Sequence, residues 1–412
     1  MRKTVLAMLI ALVSMCSSAV AEDAAEDWVK KVDEPLVKEM WNRTYGGPGN
    51  ELASEVQVTK DGGYVIIGVT ESYGAGDGDA WLIKTDSEGN EEWNKTFGGP
   101  RYDNGKSVQE TVDGGYIIVG RTESYGVSSD LWLIKTDSKG NQEWSRTFGG
   151  SGFDFGWSIQ GTIDSGYIIT GGTNSFSSGD GDLWLIKTDS EGNEEWNKTF
   201  GGFGTEYGNS VQETSDGGYI VAGGTTSFSA GSKAGSTDLW LIKTDSEGTE
   251  TWNITYGGSD SDDGKSVQET SDGGYIVTGY TTSFGAEGTD LWLIKIDSEG
   301  NEEWNRTFGE LPAQEIGLIG YDYGESVQQT SDGGYIISGY TTSYHAFDSG
   351  DLWLIKTNTE GVLEWDMTSG RRGTDEGTSV QEVEDGEYII AGFTNRYGAG
   401  GLDIWLVKVK EM

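Results

Sequence analysis

Residues Ser266–Gly309 read SVQETSDGGYIVTGYTTSFGAEGTDLWLIKIDSEGNEEWNRTFG, and nearly the same segment is written seven times along the chain. Its most regular word, Asp-Leu-Trp-Leu-Ile-Lys, places tryptophans at Trp81, Trp132, Trp184, Trp240, Trp292, Trp353 and Trp405. A second series, in Glu-Trp-Asn-x-Thr-Phe-Gly-Gly, comprises Trp41, Trp93, Trp144, Trp196, Trp252, Trp304 and Trp365. The first series is spaced by 51, 52, 56, 52, 61 and 52 residues. Self-similarity at such a period indicates a repeat architecture.

Each repeat predicts four short strands. In the second repeat these are Ser107–Thr111, Tyr116–Gly120, Leu131–Lys135 and Glu143–Phe148. The Asp-Gly-Gly turn at Asp113 suits a tight reversal, because glycine tolerates positive φ. The third strand is apolar at consecutive positions, which predicts burial on both faces. Four strands in a unit of this length are typical of propeller blades.

The two ends of the repeat region are complementary. The seventh repeat stops at Met412 without a fourth strand, whereas Leu36–Tyr45 is a fourth strand without the other three. Pairing it beside Ile404–Val409 completes the seventh unit and leaves no exposed sheet edge. We therefore predict an all-β fold over residues 36–412, a seven-bladed β-propeller with four antiparallel strands per blade.

The repeats resemble the SBBP-like seven-bladed β-propeller repeats of secreted and surface proteins of bacteria and archaea. The resemblance is carried by Gly98-Gly99 leading to Gly105, by Asp113–Gly120 and by Thr122–Tyr125, which recur through the chain. The Asp-x-x-Gly-x-x-x-Trp hairpin at Asp86 also resembles quinoprotein propeller repeats. Such a resemblance implies an architecture and leaves the function open.

The first residues have the features of an export signal. Arg2 and Lys3 precede an apolar run from Thr4 to Met15, and Ala19-Val20-Ala21 supplies the small residues of a cleavage site. We predict a signal peptide over residues 1–21, an N-terminal tail over 22–35, and a secreted or cell-surface location. An uncleaved anchor is the alternative; cleavage would remove the single cysteine, Cys16.

Charge narrows the classes of partner. The formal net charge of −40 excludes a general nucleic-acid binder, because phosphate contacts require clustered lysine and arginine. It suits solubility and attraction of cations. We expect an extracellular protein or polysaccharide partner, no membrane insertion of the mature chain, and a monomer.

Catalytic motifs are sparse in this sequence. Nucleophilic catalysis usually needs a histidine base, and the single histidine, His345, has no Gly-x-Ser-x-Gly motif nearby. We therefore predict a non-catalytic binding or cell-surface interaction module without a cofactor. The alternatives are a carbohydrate-active or quinone-type propeller enzyme, and a purely structural cell-envelope protein.

Two series of carboxylates fall in loops that the predicted fold places on one rim. The loops between blades carry Asp103, Asp154, Glu206, Asp262, Asp322 and Asp375, with Asn50 in the remaining place. The loops before the third strands end in Asp79, Asp130, Asp182, Asp238, Asp290, Asp351 and Asp403. Calcium takes several oxygen ligands, so Asp103, Asp154, Asp262, Asp322 and Asp375 are a candidate Ca²⁺ site. The alternative is that each carboxylate caps its own loop by accepting backbone N–H groups.

Two loops of the sixth repeat depart from the others on the same rim. The segment 310–321 is eight residues longer than its counterparts and apolar, and the loop around His345 carries two aromatic residues. Apolar exposed loops mark interaction sites. The predicted binding residues are Leu311, Ile316, Leu318, Tyr321, Tyr323, His345 and Phe347.

Two further features are candidate sites for carbohydrate, one for its covalent attachment and one for its binding. Asn-x-Thr sequons recur at one place in the fourth strand, at Asn42, Asn94, Asn197, Asn253 and Asn305. In an exported protein such sites can be glycosylated. Trp157 lies beside Phe153 and Phe155 and is a candidate for stacking on a sugar, with core packing as the alternative.

Overall fold

The computed structural model describes residues 36–228, 233, 235–309, 320–343, 350–370 and 373–412. The described residues form 28 strands, numbered β1–β28 in chain order, and no helix. They therefore contain no helix that could cross a lipid bilayer. The predicted signal peptide (1–21) and tail (22–35) lie outside the described residues.

The strands form antiparallel groups of four, which we number as sheets 1 to 7. A short parallel pairing, of Gly288 with Gly320 and of Thr289 with Tyr321, joins sheets 5 and 6. Sheet 1 contains β2 (Glu51–Val58), β3 (Tyr64–Thr70), β4 (Asp79–Thr85) and β5 (Glu91–Phe97). Sheet 2 contains β6 (Asp103–Glu110), β7 (Tyr116–Thr122), β8 (Asp130–Thr136) and β9 (Gln142–Phe148). Sheet 3 contains β10 (Asp154–Gly161), β11 (Tyr167–Thr173), β12 (Asp182–Thr188) and β13 (Glu194–Phe200). Sheet 4 contains β14 (Glu206–Glu213), β15 (Tyr219–Thr225), β16 (Asp238–Thr244) and β17 (Glu250–Tyr256).

The remaining sheets follow the same order, and the chain's first strand joins the last of them. Sheet 5 contains β18 (Asp262–Glu269), β19 (Tyr275–Thr281), β20 (Gly288–Ile296) and β21 (Glu302–Phe308). Sheet 6 contains β22 (Gly320–Gln329), β23 (Tyr335–Thr341), β24 (Asp351–Thr357) and β25 (Leu363–Ser369). Sheet 7 contains β26 (Asp375–Glu384), β27 (Glu387–Thr394), β28 (Asp403–Glu411) and β1 (Val37–Tyr45).

The pairing of the two chain ends is confirmed. Strand β1 runs antiparallel to β28, with Tyr45 opposite Ile404 and Val37 opposite Glu411. The hydroxyl of Tyr45 also donates to the carbonyl oxygen of Gly89 in sheet 1, at 2.6 Å.

The hydrophobic core lies between successive sheets. One core cluster joins Val65, Ile67 and Leu82 of sheet 1 to Ile118 and Trp132 of sheet 2. Another joins sheet 7 to sheet 1 and includes Ile389, Ile404, Val56, Ile66 and Trp81. Complete burial of one such side chain contributes about 1.5–3 kcal/mol. Consecutive sheets, and sheet 7 with sheet 1, are therefore held together by the same apolar contacts.

The third strands of sheets 1 to 6 are buried from their leading aspartate onward, as their sequence predicts. The lysine in each of these six strands is buried as well, and its ammonium group reaches polar partners at the sheet end. In sheet 7, Lys408 is half-buried and pairs with Glu387 at 3.0 Å. The Nζ atom of Lys187 donates to Asp164 at 2.8 Å, to Glu195 at 3.0 Å and to the carbonyl oxygen of Thr188 at 3.1 Å.

The first strands begin earlier than their sequence predicts. The prediction for sheet 2 is a strand from Ser107, whereas β6 starts at Asp103, which lies opposite Thr122 of β7. The pairing register shifts between Gly105 and Ser107, so Lys106 forms a β-bulge. A bulge breaks the two-residue alternation on which strand prediction depends. The added residues of all seven first strands form the candidate site described below.

Candidate functional site

One channel is lined by the first strands of all seven sheets. Its walls are formed by the Ser-Val-Gln segments and their equivalents, and its volume is about 220 Å³. Each glutamine side chain accepts a hydrogen bond from the backbone of the next first strand. The amide N of Glu110 donates to Gln57 Oε1 at 2.6 Å, and that of Val58 donates to Gln381 Oε1 at 2.8 Å. The N–H groups of these inner sheet edges, which have no neighbouring strand, are thus satisfied by side chains.

One carboxylate interrupts the serine series of the channel. Serine stands at this place in sheets 2 to 7, for example Ser107, whereas sheet 1 carries Glu55. The carboxylate of Glu55 accepts from the amide N of Val108 at 2.8 Å. Burial raises the pKa of Glu55 to about 7, although hydrogen bonds from Ser107 and Val108 oppose the shift.

The channel mouth is the part of the first strands that precedes the Ser-Val-Gln segments. Each first strand has an acidic residue at or near its start and a glycine or alanine two positions later. We define the mouth by the residues directly before and directly after that glycine or alanine. These pairs are Leu52 and Ser54, Asn104 and Lys106, Phe155 and Trp157, Tyr207 and Asn209, Asp263 and Lys265, Tyr323 and Glu325, and Glu376 and Thr378. No two pairs are the same, although the rest of the strand is nearly invariant between repeats. Most of these side chains are half-buried.

Aromatic rings link neighbouring sheets along the mouth. Trp157 packs between Phe155, at a centroid distance of 4.5 Å, and Tyr207, at 5.4 Å. Tyr207 belongs to the next sheet, so Trp157 bridges two sheets at the mouth. The prediction that Trp157 stacks on a sugar remains untested; its ring packs on Phe155 and Tyr207.

A second aromatic group lies at sheets 5 and 6. Tyr323 stacks in parallel on Tyr340, with centroids 5.0 Å apart and an interplanar angle of 7°. Tyr280 of sheet 5 meets the edge of Tyr323 at 4.9 Å. Burial raises the pKa of Tyr280 to about 12, so this hydroxyl is neutral at physiological pH.

One ion pair of the mouth is already formed. The Nζ atom of Lys265 lies 2.7 Å from Asp263 Oδ2, and the same ammonium lies 5.7 Å from the centre of the Tyr280 ring. Asn209 of the preceding sheet donates to the carbonyl oxygen of Gly264 at 2.7 Å. These contacts fix the side chains of sheet 5.

Three charged residues of the mouth have no such partner. Within the described part of the chain, Lys106, Glu325 and Glu376 form no salt bridge. Burial, together with the nearby Arg121 cation, lowers the pKa of Lys106, and Glu325 and Glu376 partly oppose this effect. Burial and the Glu325 charge raise the pKa of Glu376 to about 7. Residues of sheets 2, 6 and 7 are therefore close enough to influence one another's charge.

The rim carboxylates that the sequence singles out are hydrogen-bonded within their own sheets. Asp103 is fully buried and accepts from the Thr122 hydroxyl, from Ser124 Oγ at 2.6 Å and from the amide N of Gly99 at 2.8 Å. Equivalent threonine and serine hydroxyls donate to Asp154, Asp262 and Asp322. Asp375 occupies the same ladder position, opposite Thr394. Over the described ranges, no three His, Cys, Asp or Glu side chains are grouped to hold a metal ion. The Ca²⁺ site stays a prediction.

The sequence alignment of the first repeat needs a correction. The residue equivalent to Asp103 is Glu51 and not Asn50, because Glu51 pairs with Thr70 and accepts from its hydroxyl at 3.1 Å. The spacing shows the same equivalence, because Glu51 follows Gly46-Gly47 at the distance at which Asp103 follows Gly98-Gly99.

The predicted binding site of the sixth repeat lies mostly outside the described residues. Leu311, Ile316, Leu318, His345 and Phe347 lie outside the described residues. Tyr321 is 46% exposed at the start of β22. Tyr323, two residues later, belongs to the channel mouth. The two described members of the predicted set therefore lie at, or next to, the mouth.

The sequon asparagines serve the sheet itself. Asn94 Oδ1 accepts from Trp81 Nε1 at 3.1 Å, while its Nδ2 donates to Glu91 at 2.7 Å. Asn197 and Asn253 make the same two contacts, and Asn42 and Asn305 donate to Glu39 and Glu302. In sheet 6, Asp366 accepts from Trp353 instead, and no sequon is present there. A need to satisfy the indole N–H explains Asn94, Asn197 and Asn253 without a glycan. The indole N–H groups of Trp292 and Trp405, which lie opposite the strands of Asn305 and Asn42, have no such partner among the described residues. Glycosylation stays a prediction.

Sequence reasoning did not identify the mouth as a site. The readable signal was the difference between otherwise similar first strands at two positions. The first position carries leucine, asparagine, phenylalanine, tyrosine, aspartate or glutamate, and the second carries serine, lysine, tryptophan, asparagine, glutamate or threonine. Those positions were assigned to loops, so their convergence was not recognised.

Comparison with known proteins identifies the fold class. No protein-family model matches the chain, and no curated protein matches it. Among solved structures, the Neurospora crassa Pan2 WD40 domain is 9% identical with a TM-score of 0.52, over 90% of this chain and 95% of that one. A PL25 ulvan lyase is 11% identical with a TM-score of 0.52, over 88% and 95%.

A puromycin hydrolase is 12% identical with a TM-score of 0.52, over 85% of this chain and 51% of that one, so this chain matches about half of the hydrolase. WD40 domains are β-propellers. Likenesses at this identity carry information on the fold alone, and the fold of this chain is that of a β-propeller.

Proposed function

We propose that this protein is an exported β-propeller binding module that holds its ligand at the channel mouth. The ligand would approach from the face where the loops between sheets meet the first strands. A non-catalytic role at the cell surface, with an extracellular protein or polysaccharide as partner, is part of this proposal. The proposal also includes a family relationship to SBBP-like repeat proteins.

We further propose that the seven sheets close into one ring of seven blades. Support comes from the contacts between β26 and β2, which repeat those between every other pair of successive first strands. The hydrogen bonds from Val56 to Ser379 and from Val58 to Gln381 add to it. A closed ring would place the seven mouth pairs around one opening.

The observation that carries the binding proposal is the loss of repeat symmetry at the mouth. The repeats keep their turns, cores and glutamine contacts almost unchanged, whereas no two of the seven mouth pairs are the same. Structural roles repeat from blade to blade, whereas a single ligand needs different groups on different sides. Ligand sites commonly combine a concave surface with a few converging polar groups.

The experiment fills the mouth without disturbing the core. Ser54→Trp and Thr378→Trp introduce bulky rings at half-buried mouth positions, and Val112→Trp is the matched control in a turn where Val112 is 93% exposed. Thermal-shift and calorimetric titrations would use amino acids, oligopeptides, oligosaccharides and soluble polysaccharides. Binding that the mouth variants abolish and the control retains is expected. Binding that survives both mouth variants would refute the proposal.

An enzyme of the carbohydrate-active class is the second candidate. It is favoured by Glu376, whose pKa of about 7 and position beside Glu325 suit a general acid. Turnover of an oligosaccharide by the purified chain, lost in Glu376→Gln, would establish this alternative. Its absence across a panel of neutral and acidic polysaccharides would count against it.

A further inference from the structure

We infer that the channel mouth binds a small zwitterion, whose ammonium group faces Glu325 and Glu376 and whose anionic group faces Lys106. This inference rests on the proposed function and names the ligand class for the same site. It is carried by the distribution of unpaired charge and of aromatic surface around the mouth.

The acidic pole lies on sheets 6 and 7. Glu325 and Glu376 come from successive first strands, β22 and β26, and neither carboxylate has an ion-pair partner in the described ranges. The Lys265 ammonium acts to lower the pKa of both carboxylates and so offsets part of their charge, but it is already paired with Asp263. A ligand cation shared by the two carboxylates stabilises them further. The stacked pair of Tyr323 and Tyr340 belongs to the same side of the mouth. Aromatic faces and carboxylates together are the chemistry that recognises an ammonium group.

The basic pole lies on sheet 2. Lys106 is half-buried at the bulge of β6 and has no carboxylate partner among the described side chains. Arg121, on the neighbouring strand, is held with its guanidinium 4.9 Å from the Tyr102 ring centre and 5.1 Å from that of Phe153. Arg121 also pairs with Glu123 at 3.9 Å, so the cation of this pole without a carboxylate partner is Lys106. An unpaired, half-buried ammonium favours an anionic ligand group.

The two poles influence each other but do not meet. Glu325 and Glu376 affect the pKa of Lys106, yet no ion pair within 4.0 Å joins them. Lys265 and Asp263, by contrast, already form an ion pair at 2.7 Å, so neither of them needs a charged group from a ligand. A molecule with a positive and a negative end spans such a gap and satisfies both poles.

On one side of the mouth, aromatic side chains form the wall between the basic and the acidic pole. Trp157, flanked by Phe155 and Tyr207, occupies sheets 3 and 4, which follow the basic pole in chain order. Rings of this kind bury aromatic or aliphatic groups and confer further affinity. An α-amino acid with an apolar side chain combines all three complementary features.

The experiment uses matched molecules that differ by one charge. Calorimetric titration of the purified chain with the standard amino acids is expected to give saturable binding for at least one apolar member, with L-phenylalanine as the reference probe. Phenethylamine, which lacks the carboxylate, and 3-phenylpropionate, which lacks the ammonium, are each expected to bind about tenfold more weakly or worse.

Variants assign each pole to one end of the probe. Lys106→Gln is expected to weaken binding of the amino acid about tenfold and to leave the affinity for phenethylamine unchanged. Glu325→Gln is expected to leave the affinity for 3-phenylpropionate unchanged. Exposed Lys139→Gln and Glu299→Gln are the matched controls. Equal binding of the zwitterion and either analogue, or no binding across the amino acids, would overturn the inference. If oligosaccharides then bind in a manner blocked by Ser54→Trp, the proposed function stands while the zwitterion is excluded.

Discussion

At the scale of single residues, deviations from the repeat are informative because the other sheets provide internal controls. Ser165 is an example, since it occupies the turn position that glycine holds elsewhere. Its φ of 72° is the one positive value among the described non-glycine residues. The equivalent Gly114 has a φ of 80° and open space where a Cβ would lie, so the difference is a matter of backbone conformation.

We predict that Ser165→Gly stabilises the protein by about 1 kcal/mol, because a non-glycine residue is strained in the left-handed region. Urea denaturation followed by tryptophan fluorescence measures the effect. The reciprocal change, Gly114→Ser, is the control and should destabilise by a similar amount. A neutral or destabilising Ser165→Gly would contradict this explanation.

Glu55 provides a residue-scale prediction about pH. Its pKa is raised from 4.5 to about 7 in the folded state, so the folded protein binds this proton more tightly than the unfolded chain does. This contribution to stability is complete below about pH 4.5 and is lost as the pH rises to about 7. Glu55→Gln, which keeps an acceptor for Val108, should therefore stabilise by up to about 3 kcal/mol at about pH 8.

Denaturation of both proteins at about pH 8 and about pH 4.5 provides the test, since the difference should vanish at the lower pH. Ser210→Ala, at the equivalent place in sheet 4, should show no such pH dependence, because Ser210 accepts from the amide N of Val267 and has no part in the Glu55 shift. A constant difference between Glu55→Gln and the parent at the two pH values would show that Glu55 is not buried with a raised pKa.

At the scale of elements, each sheet carries an aspartate in the turn between its first and second strands. Burial alone would raise the pKa of Asp61, but hydrogen bonds from Thr59, Lys84 and Gly63 hold it at about 2. Equivalent aspartates with a pKa of about 2 are Asp113, Asp164, Asp216 and Asp332. Each pairs with a buried lysine of the third strand, as Asp164 does with Lys187. The turn and the third strand are thus joined electrostatically in sheet after sheet.

This repeated pairing predicts a cooperative loss of stability in acid. A lowered folded-state pKa contributes stability above the unfolded value of 3.8, and that stability disappears as the pH falls towards about 2. Chemical denaturation across this range should show a steep fall between about pH 4 and about pH 2. Asp164→Asn should lower stability at neutral pH and make the remaining acid dependence shallower. An unchanged slope in this variant would mean that the pair contributes little.

At the scale of the whole molecule, the two chain ends meet in one sheet. Strand β1 covers the outer edge of β28, and Val37 and Tyr45 are buried in the cores on either side of sheet 7. Removal of β1 would leave an uncovered sheet edge next to apolar side chains, which favours association with other chains.

We predict that a chain beginning after Tyr45 loses cooperative folding and aggregates, because two intersheet cores are opened at once. Addition of a synthetic peptide of residues 36–45 should restore the thermal transition, and a scrambled peptide should not. Differential scanning calorimetry with size-exclusion chromatography measures both effects. An unchanged transition in the truncated chain would show that the proposed ring does not depend on this strand.

The sequence by itself determined the seven repeats, the order of four strands in each, the buried third strands and the pairing of Leu36–Tyr45 with the last sheet. These follow from local patterns of apolar and turn residues, which repeat and therefore reinforce one another. The sequence did not decide whether Asp103 and its equivalents cap their loops or bind a metal ion. The hydrogen bonds of Asp103 with Thr122 and Ser124 are found only in the folded chain.

Only the tertiary structure decided where Lys106, Trp157, Glu325 and Glu376 lie relative to one another. These residues are separated by about one repeat or more in sequence, and the bulge at each first strand conceals them from strand patterns. Packing of each first strand against the next places the bulges of successive sheets side by side, and the proposed closed ring would bring them to one opening. Long-range packing, which no local pattern encodes, therefore created the site.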